Sequence, residues 1–231
     1  IRLNAIHKIA MTGFRYKNPD SAFYYAQLQY NFAKSIKNKA FQVRALNVQG
    51  DYYILQGDPD NALDILNKAL KLSEKLNNKK PKLNTLGNIS RTFESKGDFE
   101  KALEYNLLKL KISEEIQDQS GMGMSLVDIG KNYVRKGDLT SGLKYLKRGH
   151  KIFVELNNKH YIARSQSVMA NVYMQLENPE EALKLFTLNL SYFEAIGNKT
   201  YVAACSSNLG GIYVSQGNTK KGLEYLEKAS V

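Results

Sequence analysis

The stretch LGGIYVSQGNTKKGLEY, residues 209–225, decides the fold because its features recur along the whole chain. Its Gly-Asn pair at 217 and 218 has a counterpart at intervals of 40 residues, as from 57 to 97. The equivalent pairs are Lys17-Asn18, Gly57-Asp58, Gly97-Asp98, Gly137-Asp138, Glu177-Asn178 and Gly217-Asn218. A fixed period of this size indicates an array of structural repeats, here six units long.

Three further positions repeat in the same register. A small residue stands five places after the Gly position, at Ala22, Ala62, Ala102, Gly142, Ala182 and Gly222. An aromatic residue stands four places before it, at Tyr53, Phe93, Tyr133, Tyr173 and Tyr213. Another small residue comes three places earlier still, at Gly50, Ser90, Gly130, Ala170 and Gly210, each preceded in most units by an apolar residue. Apolar, small and aromatic positions at i, i+1 and i+4 indicate an α-helix.

Each unit is therefore predicted to be two helices, A and B, joined by a tight turn at the Gly position. Asp58 and Asn178 stand where the N-cap of helix B belongs, and a proline follows each at the first helical position. Helix B is predicted to continue through Leu76 in the second unit and Ile196 in the fifth. The predicted loops between units are the polar segments 77–79, 157–159 and 197–199.

These residues resemble the tetratricopeptide repeat (TPR) family, whose pattern is a Leu-Gly, a Tyr three residues after the Gly and an Ala opening the second helix. Leu209-Gly210, Tyr213 and Gly222-Leu223 carry the resemblance, which extends over essentially the whole chain. The chain departs from the family in having no Trp and in keeping only Pro81 of the prolines that usually end helix B. Its period also exceeds the common value of about 34 residues.

The resemblance implies an all-α fold, a right-handed superhelical solenoid of antiparallel helix pairs with helix A lining the concave side. We predict a single array over residues 1–231. Its units are 1–40, 41–80, 81–120, 121–160, 161–200 and a truncated 201–231. In the first unit Gly13 replaces the aromatic residue, and the residues that keep register are Ile6, Ile9, Ala10 and Ala22.

The last unit ends on an apolar helix with no successor to cover it. Its apolar residues are Leu223, Tyr225 and Leu226. We therefore expect the native protein to continue beyond this helix, or the helix to pack on a second copy in a homodimer.

Composition excludes several classes of protein. The 33 basic and 22 acidic residues give a net charge of +11, and a hydrophobic content of 43% is enough for a packed core. One cysteine and three histidines exclude a disulfide scaffold and a structural zinc site. No apolar run approaches the roughly 18 to 20 residues that a membrane span needs.

The chain has no catalytic constellation, and no enzyme activity or cofactor is expected. Gly121-Met122-Gly123 lacks the preceding strand and third glycine of a dinucleotide site, and Gly130-Lys131 falls inside a predicted helix. His150 and Cys205 occupy positions where other units have apolar or small residues, so both are predicted to pack in the core.

The positive charge does not indicate specific nucleic-acid binding. The lysines are scattered, and no known recognition motif accompanies them. The densest group comprises Lys68, Lys71, Lys75, Lys79, Lys80 and Lys82. We interpret it as a solvated face that supports at most weak, non-specific binding at low salt.

The TPR register implies a concave groove lined by helix A. The residues predicted to line it are Arg44, Asn47, Asp51, Asn84, Asn88, Arg91, Asp128, Lys131, Arg135, Arg164, Asn171, Gln175 and Asn208. Five are cationic, two are acidic and six are amides, and Arg favours bidentate contact with carboxylates. We hypothesise a groove for an acidic peptide; the alternative is a set of solvated charges on a generally basic surface.

The family's chaperone-tail clamp is not matched, because Arg91 and Arg164 are accompanied by Gly87, Asp128 and Val168 instead of the required amides and lysine. The chain looks like the sensory region of bacterial signalling proteins, upstream of a histidine kinase or a transcriptional regulator. That resemblance favours a periplasmic region of a membrane protein over a cytoplasmic one. The alternative is an autonomous adaptor or scaffold that binds signalling peptides.

Overall fold

The computed structural model describes residues 2–9 and 18–230 of the chain. Within these ranges the secondary structure is helical, and no β-strand occurs. Ala10, Gly13 and Lys17, on which the predicted register of the first repeat partly depends, lie outside the described residues. The predicted all-α class is confirmed.

From residue 39 onward the helices alternate with the predicted period of 40. The first repeat, residues 1–40, contributes α1 (Arg2–Lys8) and α2 (Pro19–Ser35). The later A helices are α3 (Lys39–Leu55), α5 (Lys80–Ser95), α7 (Gln119–Arg135), α9 (Lys159–Gln175) and α11 (Lys199–Ser215). The B helices are α4 (Pro59–Ser73), α6 (Phe99–Glu115), α8 (Leu139–Glu155), α10 (Pro179–Ala195) and α12 (Thr219–Ala229). Repeated helix pairs are therefore confirmed.

Side-chain caps fix where the helices begin. Asp58 accepts a hydrogen bond from the backbone N–H of Asn61, and Asn178 accepts one from that of Glu181, as the sequence predicts. The A helices are capped too, because Asn38, Asn158 and Asn198 accept equivalent bonds. Helix α5 differs from these, since Lys79 stands at its N-cap and makes no capping bond.

The A helices end at residues whose backbone adopts the left-handed conformation, with a positive φ. At the Gly position of the turn, φ is +72° at Gly57, +75° at Gly97, +88° at Gly137 and +81° at Gly217, which glycine adopts at little cost. Glu177 takes the same conformation, with φ of +55°, where the repeat has no glycine.

Two B helices end earlier than predicted. Helix α4 stops at Ser73 and α10 at Ala195, so Leu76 and Ile196 lie beyond them. After α10, Gly197 takes a φ of +67°, which stops helical hydrogen bonding. After α4 the backbone N–H groups of Lys75 and Leu76 bond three residues back, so the last turn tightens. Leu76 still packs against the core formed by Val43, Leu46 and Ala69.

The chain forms two compact units that each contain several repeats and have their own core: the first unit is Ile1–Ser125 and the second unit is Leu126–Val231. In the first unit, small clusters such as Ala62, Leu66 and Ile89 lie between successive helices. In the second, one larger cluster includes Phe186, Phe193 and Leu209.

The small residues in the helices permit close packing of A against B. A Cβ added to Gly50 would lie 2.6 Å from the Leu66 side chain, and one added to Gly210 would lie 2.7 Å from Leu226 Cγ. Side chains at these positions would force the helices apart, so the small residues of the repeat allow a close approach there.

Candidate functional site

In the first unit, the predicted groove residues lie on α3 and α5. Arg44 and Asn84 are exposed, while Asn88 and Arg91 are half-buried. Asn47 and Asp51 were predicted to line the accessible surface, but Asn47 is buried and Asp51 is 2% exposed. These two residues belong to the packing around α3, which contacts α1, α2, α4 and α5.

Hydrogen bonds tie the residues of α3 and α5 together. Arg91 Nη1 donates to Asp51 Oδ1 at 2.7 Å and lies 3.4 Å from Asn88 Oδ1. Asn88 Nδ2 donates to the backbone oxygen of Asn47 at 3.1 Å. Asp51 and Arg91 occupy equivalent positions of successive repeats. The Arg91 guanidinium, with its side chain 40% exposed, therefore compensates a buried carboxylate and joins neighbouring A helices.

Asp128, Lys131 and Arg135 lie on α7. Lys131 Nζ is 3.5 Å from Asp128 Oδ1, one helical turn away, and both side chains are partly exposed. Arg135 is exposed. This ion pair lies within one helix and leaves both charged groups in contact with solvent, so its effect on stability is small.

In the second unit, the remaining predicted residues lie on α9 and α11. Arg164, Asn171, Gln175 and Asn208 are all exposed. Across residues 126–230, the amides of Asn171, Gln175 and Asn208 make no side-chain hydrogen bond. The Arg164 guanidinium carbon lies 5.8 Å from the centre of the Tyr161 ring, a contact that leaves its N–H groups available to an anion.

Gly211 makes this surface open. It is equivalent to Asn171 one repeat later, and a Cβ built on it would meet no atom within 4 Å. The equivalent pair in the first unit is Asp51 and Arg91, which fill the same position with an ion pair. The surface formed by Arg164, Asn171, Gln175, Asn208 and Gly211 is called the α9–α11 surface below.

A buried amide that the sequence analysis missed supports this surface from α10. Asn189 Nδ2 donates to the backbone oxygen of Ala163 at 3.0 Å and to Ser167 Oγ at 2.9 Å. Asn189 is fully buried, and its Oδ1 has no partner among the described residues. The available signal was an amide at a helix B position where Ala69 and Gly149 stand in other units.

His150 and Cys205 have packing roles, as predicted. His150 Nδ1 lies 2.8 Å from Ser165 Oγ, and burial lowers the pKa of the imidazole. Cys205 is 3% exposed, and burial raises the pKa of its thiol to about 11. A thiol that stays protonated near neutral pH is a poor nucleophile.

The predicted lysine face is largely solvated. Lys68, Lys71, Lys75, Lys79 and Lys80 are exposed and Lys82 is partly exposed. Lys79 Nζ lies 2.8 Å from Glu115 Oε2 and Lys82 Nζ 3.6 Å from Glu74 Oε1, so acidic neighbours offset part of the charge. No helix among the described residues has the length and apolar character that a membrane span needs.

Comparison with known proteins gives one family match and several similar structures. The model described as Tetratricopeptide repeat matches residues 41–115 and 161–230, and no curated protein matches the sequence. BtubC (BKLC) from P. vanneervenii is similar in structure, with a TM-score of 0.80 and 16% identity over 93% of this chain and 90% of its own. Identity at this level indicates a shared fold only.

Two further structures have similar TM-scores. A Rap protein complexed with Competence and Sporulation Factor has a TM-score of 0.79 and 13% identity, over 99% of this chain and 72% of its own. A Signal Transduction ATPase with Numerous Domains from Pyrococcus horikoshii, which carries a tetratricopeptide repeat sensor, has a TM-score of 0.80 and 20% identity, over 98% of this chain and 35% of its own.

Proposed function

The chain belongs to the tetratricopeptide repeat family, and we propose that it is a non-catalytic module that binds a protein or peptide. We further propose that it is the sensory or regulatory region of a larger bacterial signal-transduction protein. The similar Rap and signal-transduction ATPase structures support a regulatory role. A Rap protein has been crystallised with Competence and Sporulation Factor bound, which supports ligand binding by such an array.

The observation that carries the proposal is the open α9–α11 surface. Asn171, Gln175 and Asn208 each present an amide that donates and accepts hydrogen bonds and that has no side-chain hydrogen-bond partner among the described residues. An extended peptide has the same alternation of donors and acceptors along its backbone. Gly211 leaves room for such a backbone to approach α11 closely.

Charge favours an acidic ligand. Helices α9 and α11 contain Lys159, Arg164 and Lys199 but no Asp or Glu. The exposed Arg164 guanidinium lies on the same helix as Asn171 and Gln175, and its planar fork matches a carboxylate in geometry. We therefore assign the peptide side chains of the ligand an acidic character, with Arg164 as the contact that selects it.

Binding is tested with glutamate-rich ten-residue peptides and a double variant, Asn171→Ala with Asn208→Ala. Losing two amide contacts is expected to weaken binding about tenfold or more. The matched control is Asn67→Ala with Asn77→Ala, which removes two exposed amides from the first unit and is expected to bind normally. Unchanged binding by the Asn171 and Asn208 variant would exclude the α9–α11 surface.

The acidic preference is tested separately with Arg164→Glu. This variant is expected to lose its preference for glutamate peptides over lysine peptides of the same length, because the selecting charge is reversed. Retention of that preference would assign it to the general positive charge of the protein, which is the alternative reading of these residues.

The apolar residues of α12 bear on dimerisation. Leu223 and Leu226 are exposed among the described residues. Homodimerisation through α12 is therefore part of the proposal, and Leu223→Glu is expected to shift the protein toward the monomer in sedimentation equilibrium. A wild-type protein that stays monomeric at high micromolar concentration contradicts it.

The sensory role is tested by reading the gene on both sides of residues 1–231. A signal peptide upstream, with an apolar span of about 20 residues and a kinase phosphoacceptor helix downstream, supports a periplasmic sensor. A helix-turn-helix domain supports a transcriptional regulator. A reading frame that ends after one capping helix supports the second candidate, an autonomous adaptor that binds signalling peptides.

A further inference from the structure

The solvent-facing side of α8 is a continuous cationic stripe. Its residues are Lys144, Lys147, Arg148 and Lys151, all of them exposed. They stand at i, i+3, i+4 and i+7, so they follow one face of the helix over about 10 Å. The opposite face is buried and consists of Gly142, Leu146, Gly149 and Phe153.

The α8 stripe opposes the stability of its own helix. Four pairs of its cations are three or four residues apart, where like charges repel. Across the described residues, Lys144, Lys147 and Arg148 have no acidic partner, and Lys151 reaches only Glu155, at 4.0 Å. Glu155 is the last residue of the helix and its single acid.

Two aromatic rings orient the middle of the stripe. Lys147 Nζ lies 5.6 Å from the centre of the Tyr173 ring, and the guanidinium carbon of Arg148 lies 5.5 Å from that of Tyr145. Cation–π contacts of this kind position the side chains without neutralising their charge. The stripe is therefore preorganised for an anionic partner.

The repeat itself does not require these charges. The equivalent positions in α4 are Asp64, Asn67, Lys68 and Lys71; those in α6 are Glu104, Leu107, Leu108 and Lys111; those in α10 are Lys184, Thr187, Leu188 and Ser191. Each of these helices mixes charged, polar or apolar residues on the same face. A local arrangement that costs stability and serves no packing purpose indicates a functional site.

We propose that the α8 stripe is a docking surface for an acidic helix of a partner protein. A helix with carboxylates at i, i+3, i+4 and i+7 repeats at the same pitch as the stripe and pairs with its cations. The surface lies on a B helix and uses no residue of the α9–α11 surface, so it is a second interaction surface, independent of peptide binding.

The width of the stripe favours a helix over a lipid bilayer or a nucleic-acid duplex. At the equivalent positions of the second unit, α10 has one cation beside Leu188, which is 52% exposed, and α12 has the acids Glu224 and Glu227. A flat anionic surface would meet those acids, whereas a single helix would contact only the stripe.

The test uses two labelled 18-residue helical peptides of identical composition. One has glutamates at i, i+3, i+4 and i+7 on one face, and the other has them distributed around the helix. The wild-type chain is expected to bind the patterned peptide at least about fivefold more tightly at low salt, with the difference shrinking as salt rises. Fluorescence anisotropy measures both affinities.

Two triple variants locate the effect. Lys144→Glu with Lys147→Glu and Arg148→Glu is expected to abolish the preference. The control, Lys68→Glu with Lys71→Glu and Lys75→Glu, changes net charge by the same amount on α4 and the turn after it and is expected to keep the preference. These control lysines are exposed and have no acidic partner among the described residues, so both variants are expected to fold, which circular dichroism checks.

Three results would overturn the proposal. The first is equal affinity for the two peptides, and the second is equal loss in the two triple variants. The third is stripe-dependent binding to phosphatidylserine vesicles or duplex DNA that is tighter than binding to the patterned peptide. Because the two triple variants leave Arg164, Asn171 and Asn208 unchanged, and those residues are tested by their own variants, failure here leaves the peptide-binding proposal untouched.

Discussion

The two compact units use the same repeat position in opposite ways. In the first, Asp51 and Arg91 stand forty residues apart and form a 2.7 Å ion pair between α3 and α5. In the second, Asn171 and Gly211 occupy this position without a side-chain partner among the described residues, while Lys131, also at this position, pairs with Asp128 of its own helix. One unit uses the position for packing between neighbouring helices, while the other leaves it accessible to solvent.

This difference teaches which parts of a repeat surface are available for binding. A residue whose hydrogen bonds are already made inside the protein has little to offer a ligand, because binding must first break those bonds. Arg91 is such a residue, and Asn171 is not. We therefore place the ligand on the second unit, although the register alone makes both sets of residues equivalent candidates.

The largest predicted effect concerns the ion pair. Arg91→Ala leaves the buried Asp51 carboxylate without its 2.7 Å partner. We expect a loss of about 2 to 3 kcal/mol in the free energy of unfolding, below the full value for a wholly buried pair because Arg91 is partly exposed. Asn171→Ala, at the equivalent position, is expected to change stability by less than about 0.5 kcal/mol.

Chemical denaturation measures both variants, and hydrogen exchange tests whether the loss is centred on α3 and α5. The double variant Asp51→Ala with Arg91→Ala removes the buried carboxylate together with its cation and is expected to recover part of the loss. Equal destabilisation by Arg91→Ala and Asn171→Ala would contradict the division between the two surfaces.

The second prediction converts the open surface into the closed type. Asn171→Asp with Gly211→Arg places an acid and a cation where the first unit has Asp51 and Arg91. Removal of a glycine from a helix interior is expected to raise stability by about 0.5 to 1 kcal/mol. Peptide affinity is expected to fall about tenfold or more, since the new pair covers the surface and consumes its hydrogen bonds.

Gly211→Ala alone separates these two effects. It keeps the gain in stability, because its Cβ meets no atom within 4 Å, and it leaves Asn171 free. We expect it to bind peptide far better than the double variant. Gly210→Ala is the contrasting neighbour: its Cβ would lie 2.7 Å from Leu226 Cγ, so we expect it to destabilise the protein by about 1 to 3 kcal/mol.

The third prediction concerns the helix starts, because α5 in the first unit lacks the side-chain cap that α3 has and that α9 and α11 have in the second. Asn198 caps α11 through a hydrogen bond to the backbone N–H of Tyr201 at 3.3 Å, so Asn198→Ala is expected to cost about 1 kcal/mol. Lys79 stands at the N-cap of α5 without a capping bond, and Lys79→Ala is expected to show no loss of capping. Thermal unfolding of the two variants checks the difference.

Much of the fold was predictable because each feature recurs in several units. The turn glycines, the caps at Asp58 and Asn178 and the small positions at Gly50 and Gly210 are local, so a period of 40 residues identifies them repeatedly. Helix ends were less predictable. After Ser73 the backbone hydrogen bonds span three residues instead of four, and no residue type there specifies this tighter turn.

The candidate site was only partly predictable from sequence. The register identifies residues at equivalent positions, but burial depends on which helices pack around each A helix. Asp51 is buried because α3 is contacted by four other helices, and Arg91 then reaches it across the gap between α3 and α5. Asn189 was missed because polar contacts were expected from helix A alone, although Gln29 and Lys109 at the equivalent helix B position are also buried and polar.

The smallest predicted effect is a difference in acid response between the helix caps. Hydrogen bonds from the side chain and backbone of Asn61 lower the pKa of Asp58, and a bond from the backbone N–H of Lys101 lowers that of Asp98. The stability that the charged Asp58 and Asp98 caps add to the folded protein is therefore complete above the ordinary carboxyl pKa. It is lost as the pH falls through the lowered pKa. Asn198 and Asn218, in the second unit, carry no such charge.

Amide chemical shifts observe this difference directly. We expect the backbone N–H signals of Asn61 and Lys101 to titrate at a pH below the usual carboxyl range, because each donates to an aspartate that loses its charge there. The signals of Tyr201 and Lys221, which donate to Asn198 and Asn218, are expected to stay constant over that interval. A common midpoint for all four signals would mean global acid unfolding, and the aspartate and asparagine caps would then not respond independently.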